Sequence, residues 1–456
     1  MIPMTLAELA AVVGGTVHGD AATRVTGPAY VDSRAPEPDG LFVAVVGDHV
    51  DGHEYAAGAH AVLGSRPTPA PTVVVEDPVT ALGRLARHVV DAVDPVVLAL
   101  TGSQGKTGTK DYLAHVLTGA GATVATSGNH NNEIGVPLTV LRAGSGTRYL
   151  VVEMGARGVG HVAYLCRLAP PRIATVLNVG TAHLSEFGTR EQIAVAKGEI
   201  LEALPPEGVA ILNADDDLVA AMADRTDARV LTFGTAGDVR WRAVRFDDLG
   251  RPSFELGHAG EWHPVTLTQS GAHQVANAAA AAALAIAAGL QPRTVAERLG
   301  TAVPASRWRM ELHERADGLV VVNDAYNANP ASMTAALDAL AQLGSRRSGR
   351  TVAVLGEMLE LGEGATAAHH DVGRHAARTG VDLLVTVGPG AAPLADGAES
   401  YEGWQGEARR TAGRDEALAE VRENVAPDDV VLVKASRGAA LEHVADGLLK
   451  EEETSQ

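Results

Sequence analysis

A lysine between two glycines stands at the junction of an apolar segment and a helical one. The stretch is VLALTGSQGKTGTKDYLAHVL, residues 97–117. It predicts a buried strand, a tight loop over Thr101–Gly105 and a helix from Lys106. Backbone N–H groups at a helix N-terminus attract an anion, glycines let the backbone approach closely, and lysine adds a positive charge. We therefore predict a phosphate-binding loop formed by Gly102, Ser103, Gln104, Gly105, Lys106, Thr107 and Gly108.

The loop departs from the common phosphate-loop pattern in one respect. That pattern has a glycine six positions before the lysine, where this chain has Leu100. What remains is a shortened form, TGSQGKT, in which the Thr107 hydroxyl is a candidate magnesium ligand. The alternative is a glycine-containing turn with a surface lysine. By itself the loop indicates a nucleotide phosphate and leaves the reaction open.

Three further stretches carry polar side chains near predicted strand ends. VVEMGARGVGH places Glu153 just past a strand, at the edge where α/β proteins gather ligands. NVGTAHLSEFGTREQIAVAKGEI places His183 after another strand and Lys197 within a helix. VNDAYNANPASM places its polar residues between a strand and a helix; these are Asp324, Asn327 and Asn329. Taken alone, each also fits an ordinary structural role: a loop histidine, a solvated lysine, or turn and helix-capping side chains.

The elements that would position these residues alternate along the chain. Apolar strands alternate with helical stretches from PVVLALTG onward and again from LVVVNDAY onward, which predicts two parallel sheets covered by helices. Residues 238–270 have hairpin character, and AAAAAALAIAAGL predicts a buried helix. We predict an α/β protein with a small N-terminal α/β domain (1–94), a central P-loop-type parallel-sheet domain (95–303) and a C-terminal Rossmann-like domain (304–456).

Composition limits the classes of function. Among the 456 residues, 56 are acidic and 37 are basic, a formal charge of −19, which argues against nucleic acid and anionic membranes as partners. The single cysteine, Cys166, excludes an internal disulfide, and the first basic residue is Arg24, so the start lacks the pattern of a signal peptide. No apolar run is long enough to span a bilayer. We expect a cytoplasmic protein, and the composition weakly favours a monomer.

Taken together, these motifs resemble those of the Mur ligases, ATP-dependent amide-forming enzymes of peptidoglycan precursor synthesis. The likeness covers essentially the whole chain, including VDSRAPEPDGLFVAVVGDHVDGHEYAAGA near the start. NNEIGVPLT and DAYNANP are most similar to the members that add a dipeptide. The resemblance therefore implies UDP-N-acetylmuramoyl-tripeptide and D-alanyl-D-alanine as substrates, a small UDP-binding first domain and an ATPase central domain.

The resemblance also implies roles for single residues. Lys106 and Thr107 would serve the ATP phosphates and a first magnesium ion, with Glu153 as a further ligand. His183 would bind a second magnesium, and Lys197 would be carbamylated, which predicts that its side chain is partly buried. The remaining implied contacts are Asn277, Arg307 and Asp324 with ATP, Ser33 and Arg34 with the UDP moiety, and Asn132, Asn327, Asn329, Ser436 and Arg437 with the acceptor or the dipeptide.

Some positions depart from the family pattern, and they leave rival interpretations open. Gln104, Gly108 and Ala435 replace residues that are more usual in the family, although no charged catalytic group is lost. One rival is a paralogue that joins another dipeptide or a depsipeptide in resistance or specialised metabolism. A second is a nucleotide-binding regulator that ligates nothing. A third is an ordinary ATPase or kinase, which would leave VDSR, NNEIGVP and DAYNANP without a role.

Overall fold

The computed structural model describes most of the chain. It describes residues 1–47, 50–128, 130–180, 187–303 and 305–450, and of residue 363 the backbone alone. Within them the strands form a five-, a nine- and a six-stranded sheet and one two-stranded pair. The predicted fold class, an α/β protein with three sheet-containing units, is confirmed. The exact limits 1–94, 95–303 and 304–456 remain a prediction.

The first sheet is small and mixed. Its strand order is β2-β7-β6-β5-β4, and every pair is parallel except the antiparallel β2–β7. The helix α2 begins after Asp77, whose carboxylate accepts the N–H groups of Val79 and Thr80, and it ends at Asp94 in a left-handed conformation. The elements are β1 (Met4–Thr5), α1 (Leu6–Val13), β2 (Thr16–His18), β3 (Arg24–Val25), β4 (Ala29–Tyr30), β5 (Leu41–Val43), β6 (Ala61–Gly64), β7 (Thr72–Val74) and α2 (Pro78–Val93).

The second sheet carries the predicted phosphate loop. Its order is β16-β15-β14-β13-β12-β11-β8-β10-β9; the pairs from β9 to β14 are parallel and the last three strands are antiparallel, as the hairpin character of residues 238–270 predicts. The strands are β8 (Val96–Thr101), β9 (Thr123–Ala125), β10 (Tyr149–Glu153), β11 (Ile173–Val176), β12 (Val209–Asn213), β13 (Arg229–Phe233), β14 (Val239–Phe246), β15 (Pro252–His258) and β16 (Glu261–Thr266). The helices are α3 (Lys106–Thr118), α4 (Gly135–Val140), α5 (His161–Leu168), α6 (Arg190–Glu202), α7 (Asp217–Ala220), α8 (His273–Ala287) and α9 (Pro292–Leu299).

The third sheet is a parallel sheet with one antiparallel edge strand. Its order is β17-β18-β22-β19-β20-β21, and only β17–β18 is antiparallel. The elements are β17 (Glu311–Glu314), β18 (Val320–Asp324), α10 (Pro330–Gly344), β19 (Thr351–Gly356), α11 (Ala365–Arg378), β20 (Leu383–Val387), α12 (Ala392–Glu399), β21 (Glu407–Thr411), α13 (Arg414–Asn424), β22 (Val430–Lys434) and α14 (Glu442–Leu449).

Hydrophobic packing joins the first unit to the second. One cluster of buried residues includes Leu82 and Val89 of α2 together with Val97 and Leu150 of the second sheet. The alanine-rich helix α8 packs in a separate cluster on the other face of that sheet, and it is buried as predicted. The third unit has buried clusters of its own. No helix of the described chain is long and apolar enough to cross a membrane.

Candidate active site

Glycines shape the loop between β8 and α3. Gly105 has φ +77°, a conformation that L side chains rarely adopt, and a Cβ there would lie 2.4 Å from Oδ1 of Asn277. A Cβ on Gly102 would lie 2.9 Å from the Cβ of Leu177. The first N–H groups of α3 have no partner within the helix, as at any helix start. The backbone of the loop therefore lies close to neighbouring elements. The N-terminus of α3 is left as a place where an anion could bind.

Asn178, just after β11, holds this loop in place. Its Oδ1 accepts the N–H groups of Ser103 (3.1 Å) and Gln104 (2.9 Å), and its Nδ2 donates to the Gln104 carbonyl (3.1 Å). The Ser103 hydroxyl in turn accepts the N–H of Gly180 (2.9 Å). Sequence reasoning missed Asn178. A polar residue directly after a buried strand, in VLNVG, was the available signal.

Lys106 and a buried carboxylate lie on the two sides of Thr107. The Lys106 ammonium donates to the carbonyl of Gly102 (2.7 Å). Burial lowers the pKa of Lys106; the negative charge of Glu153 opposes that shift and the positive charge of Arg309 adds to it. The Thr107 hydroxyl donates to Oε2 of Glu153 (3.1 Å). The predicted grouping of these three side chains is thus present.

Glu153 is held in place from both sides. Its side chain is 1% exposed, and Oε1 accepts a hydrogen bond from Nδ2 of Asn131 (2.8 Å). Its backbone N–H donates to the Thr126 hydroxyl (3.0 Å). A carboxylate and a hydroxyl in contact are the kind of oxygen ligands that magnesium prefers. Among the residues that the structure describes, no three His, Cys, Asp or Glu side chains lie together as a metal site.

Lys197 on α6 is buried, 4% exposed, as the resemblance predicted. Burial lowers the pKa of its amine to about 7, and the charge of Lys106 contributes to the shift. Within the described part of the chain, no carboxylate forms an ion pair with Lys197. Glu199 of the same helix is engaged elsewhere, since its carboxylate accepts the N–H groups of Gly160 (2.5 Å) and Ala163 (2.9 Å) at the start of α5. A substantial fraction of Lys197 is therefore neutral and nucleophilic near pH 7.

Asn277 contacts the loop, whereas Asp324 lies in the third unit, where its charge acts on His273 at the start of α8. Asn277 of α8 lies against the loop at Gly105, and its Nδ2 donates to Oε1 of Gln274 (3.2 Å). Asp324 ends β18 of the third sheet and forms an ion pair with Lys434 at the end of β22 (2.5 Å). The register pairs these two residues directly. Lys434 also donates to the Asn327 carbonyl (2.8 Å), so the Asp324 carboxylate is held rigidly.

Two arginines follow Ser306, and the structure distinguishes them. Arg307 is exposed, with its guanidinium carbon 5.4 Å from the centre of the Trp308 ring. Arg309 lies 4.0 Å over the ring of Tyr326, and its charge is one of those that lower the pKa of Lys106. Sequence reasoning selected Arg307. Arg307 stays a prediction, and Arg309 is a further cation whose charge acts on the phosphate-loop lysine.

The residues predicted to bind the acceptor and the dipeptide make local hydrogen bonds in this structure. Asn132 accepts the N–H of Gly135 at the start of α4 (2.8 Å). Asn329 caps α10 by accepting the N–H of Ser332 (2.9 Å), and Asn327 accepts the N–H of Ala328 (2.9 Å). In the third unit these residues, with Ser436 and Arg437, follow the carboxyl ends of the adjacent strands β18 and β22.

Ser436 and Arg437 connect this edge to its surroundings. The Ser436 hydroxyl accepts the N–H of Leu359 (2.9 Å). Arg437 donates to Glu442 (2.6 Å) and stacks over Trp308, with its guanidinium carbon 4.3 Å from the ring centre. Arg437 therefore faces the segment that enters the third unit.

Of the remaining predicted residues, two lie in the first unit, away from the loop, and one lies outside the residues that the structure describes. Ser33 and Arg34 follow β4 in the first unit. Arg34 is 88% exposed and pairs with Asp32 (2.8 Å); hydrogen bonds from Arg34 lower the pKa of that carboxyl to about 2. The predicted contact of Ser33 and Arg34 with the UDP moiety stays a prediction. His183 lies outside the described residues.

Comparison with known proteins defines the class. Residues 100–285 match the family profile of the Mur ligase middle domain, and residues 308–437 match that of the Mur ligase glutamate ligase domain. The chain belongs to the Mur ligase family. It is 45% identical to a UDP-N-acetylmuramoyl-tripeptide–D-alanyl-D-alanine ligase of Mycobacterium tuberculosis, with 99% of each chain covered. It is 35% identical to the ligase of the same name from Escherichia coli, covering 98% of this chain and 99% of the relative.

Solved structures give the same picture. A crystal structure of MurF from Acinetobacter baumannii matches with a TM-score of 0.88 at 32% identity, covering 98% of this chain and 99% of the other. MurF ligase from Thermotoga maritima in complex with ADP matches with a TM-score of 0.79 at 30% identity, covering 95% and 99%. The similarity thus extends over all three units.

Proposed function

We propose that the protein is an ATP-dependent ligase that joins D-alanyl-D-alanine to UDP-N-acetylmuramoyl-tripeptide in peptidoglycan precursor synthesis. The observation that carries the proposal is the contact of Thr107 with the buried Glu153, directly beside Lys106 in a glycine-shaped loop at the carboxyl end of β8. The full-length similarity to ligases of that name supports the choice of substrates. We further propose that the protein acts in the cytoplasm as a monomer.

The residues present fit ATP and magnesium. The Gly105 position has no room for a side chain, the α3 N-terminus is free to face phosphates, and Lys106 supplies a cation. Thr107 and Glu153 would hold a magnesium ion, which would reduce the repulsion between anionic substrates. Asn277 and Asp324 would complete the nucleotide site. For its arginine we propose Arg309, because its charge acts on Lys106.

The chemistry requires activation of a carboxylate. Transfer of the γ-phosphoryl group of ATP to the terminal carboxylate of the tripeptide would give an acyl phosphate and ADP. Attack by the amine of D-alanyl-D-alanine would then form the amide and release inorganic phosphate. The contribution of this chain is positioning and electrostatic stabilisation: Lys106 and Arg309 oppose the charge that develops on the transferred group.

The proposal includes carbamylation of Lys197. A carbamate forms when a neutral amine attacks carbon dioxide and loses a proton, and burial makes a substantial fraction of the Lys197 amine neutral near pH 7. The resulting anion would face a second magnesium ion. Incubation with ¹³C-bicarbonate should give a carbamate carbon signal by NMR in the parent protein and none in Lys197→Met. The same spectrum from both proteins would exclude this modification.

The decisive experiment measures product formation. Purified protein receives ATP, magnesium and UDP-N-acetylmuramoyl-tripeptide, with and without D-alanyl-D-alanine, and both phosphate release and the mass of the uridine nucleotide are followed. We expect dipeptide-dependent release and a mass increase equal to the dipeptide less one water, with neither in Lys106→Ala. Turnover with a different dipeptide or depsipeptide alone would identify the paralogue, and ATP binding without turnover on any acceptor would overturn the ligase.

A further inference from the structure

A buried ion pair lies one helical turn beyond the phosphate-loop lysine. Lys110 and Asp111 of α3 are 3% and 7% exposed, and Nζ of Lys110 lies 2.8 Å from Oδ1 of Asp111. The ammonium also donates to the Thr126 carbonyl (2.9 Å) and to the Ser306 hydroxyl (3.2 Å). The ammonium thus makes two hydrogen bonds in addition to the ion pair. Burial of such a pair is costly, and its net contribution to stability is small or unfavourable, so a purely stabilising role explains it poorly.

The pair holds the segment that joins the second and third units. The Ser306 hydroxyl accepts from Lys110, and the Ser306 N–H donates to Oδ2 of Asp111 (3.0 Å). Ser306 is therefore bound through both its side chain and its backbone to α3, the helix that begins at Lys106. These contacts tie the segment to the central unit.

Two residues further on, the segment is bound to the C-terminal unit instead. The Trp308 carbonyl accepts the N–H of Tyr326 (3.1 Å), and the Met310 N–H donates to Oδ1 of Asp324 (3.0 Å). Trp308 and Met310 both have left-handed backbone conformations, with φ +60° and +50°. Such conformations are unfavourable for these residues, so the contacts on either side must hold them. Only Arg307 stands between the two sets of anchors.

We propose that Lys110 and Asp111 are positioning residues that clamp Ser306 to the phosphate-loop helix, so that the C-terminal unit pivots at Arg307 and Arg309 stays close to this clamped segment. This inference rests on the proposed function in so far as the pivot serves ligation. The clamp places the rotation axis within two residues of Arg309. A rotation of the third unit therefore moves Arg309 little, while the far end of that unit moves a long way.

The test uses the interdomain distance as a readout that does not depend on activity. Cys166 is the single cysteine and is buried, so introduced cysteines are the accessible thiols. Arg293→Cys on α9 and Asp371→Cys on α11 are exposed positions, one in each unit. Spin labels at both would report the distance distribution by pulsed electron–electron double resonance in the full-length protein.

The variants remove one hydrogen bond and then restore it. Ser306→Ala deletes the hydroxyl that Lys110 binds, and Ser306→Thr keeps it. Thr118→Ala is the matched control, because its hydroxyl donates only within α3, to the Ala114 carbonyl (2.8 Å). We expect Ser306→Ala to broaden the distance distribution and to lower kcat about fivefold, as the loss of one such hydrogen bond allows. KM for ATP should change less than about twofold, because the loop itself is intact.

A second pair of measurements separates the clamp from a general packing role. If Lys110 acts through Ser306, adding Ser306→Ala to Lys110→Met should broaden the distribution no further than Lys110→Met alone. Ser306→Thr and Thr118→Ala should match the parent protein. A parent-like distribution in Ser306→Ala, or equal broadening in Ser306→Ala and Ser306→Thr, would overturn the proposal. If the proposed function is wrong, the parent protein and every variant will lack turnover. The distance distributions will still test the clamp in that case.

Discussion

At the scale of single residues, environment changes what a side chain can do. Lys197 reads as an ordinary helix lysine, yet burial brings the pKa of its amine from 10.5 to about 7. Arg309 reads like its neighbour Arg307, yet it stacks on Tyr326 and influences Lys106. Residue type alone predicted neither difference. Both depend on which elements pack against the side chain.

The lowered pKa of Lys197 predicts a pH-dependent stability. Between pH 7 and 10.5 the unfolded chain binds more protons at this residue than the folded chain, so the free energy of unfolding should rise with pH across that window. The limiting slope is about 1.4 kcal/mol per pH unit. Below pH 7 the cost of burying the charge is fully present. Denaturant midpoints measured from pH 6 to 10 without carbon dioxide should show this rise in the parent protein and a flatter curve in Lys197→Met. Parallel curves would contradict the shift.

The two arginines should differ sharply when each is removed. Arg309→Ala deletes a cation beside the phosphate loop, and we expect kcat to fall about a hundredfold, as when one donor to a developing charge is lost. Arg307→Ala should change kcat less than about threefold, since surface side chains away from such features contribute little. Steady-state kinetics with varied ATP measure both. Equal losses in the two variants would contradict the assignment to Arg309 alone, and a larger loss in Arg307→Ala would favour Arg307.

At the scale of elements, the phosphate loop depends on glycine geometry. Gly105→Ala would place a methyl group against Asn277 in a backbone conformation with φ +77°, a strain of about 1–3 kcal/mol. We therefore expect nucleotide affinity at least about tenfold weaker at nearly unchanged thermal stability of the rest of the chain. Gly146→Ala is the control, because that exposed glycine has open space around it. Calorimetric titration with ADP compares them, and equal affinities would refute a geometric requirement at Gly105.

The sequence predicted elements well where apolar runs are long, and less well where they are short or polar. β8 and β22 were clear from their apolar residues, whereas β21 has the sequence EARRT and was missed. β9 has only three residues, TVA. Strands of this kind are defined by the neighbours they pair with. Asn178 is a related case: its place after a buried strand marks it as a candidate site residue, but only the packing of the loop shows that its side chain holds Ser103 and Gln104.

At the scale of the whole molecule, the three units do not each have a separate hydrophobic core. The first and second units share a buried cluster in which α2 packs with the second sheet, while the third unit is packed around its own clusters. The clamp at Ser306 lies on the segment that joins the combined body to the third unit, and a second contact between them is made by Leu249, which packs against a cluster of the third unit. Motion between units is therefore expected at residue 307 rather than at residue 94.

Unfolding should follow the cores. Scanning calorimetry of the full-length protein should resolve two transitions, one for the first and second units together and one for the third, since cooperative unfolding follows continuous hydrophobic packing. Leu82→Ala in α2 deletes a fully buried side chain of the shared cluster and should destabilise it by about 2–5 kcal/mol, lowering the first of these transitions as a whole. Leu384→Ala in β20 removes the same group from a core of the third unit and should lower only the other transition. If Leu82→Ala instead split off a third transition, the first unit would fold independently, and the shared cluster would not couple it to the sheet that carries the phosphate loop.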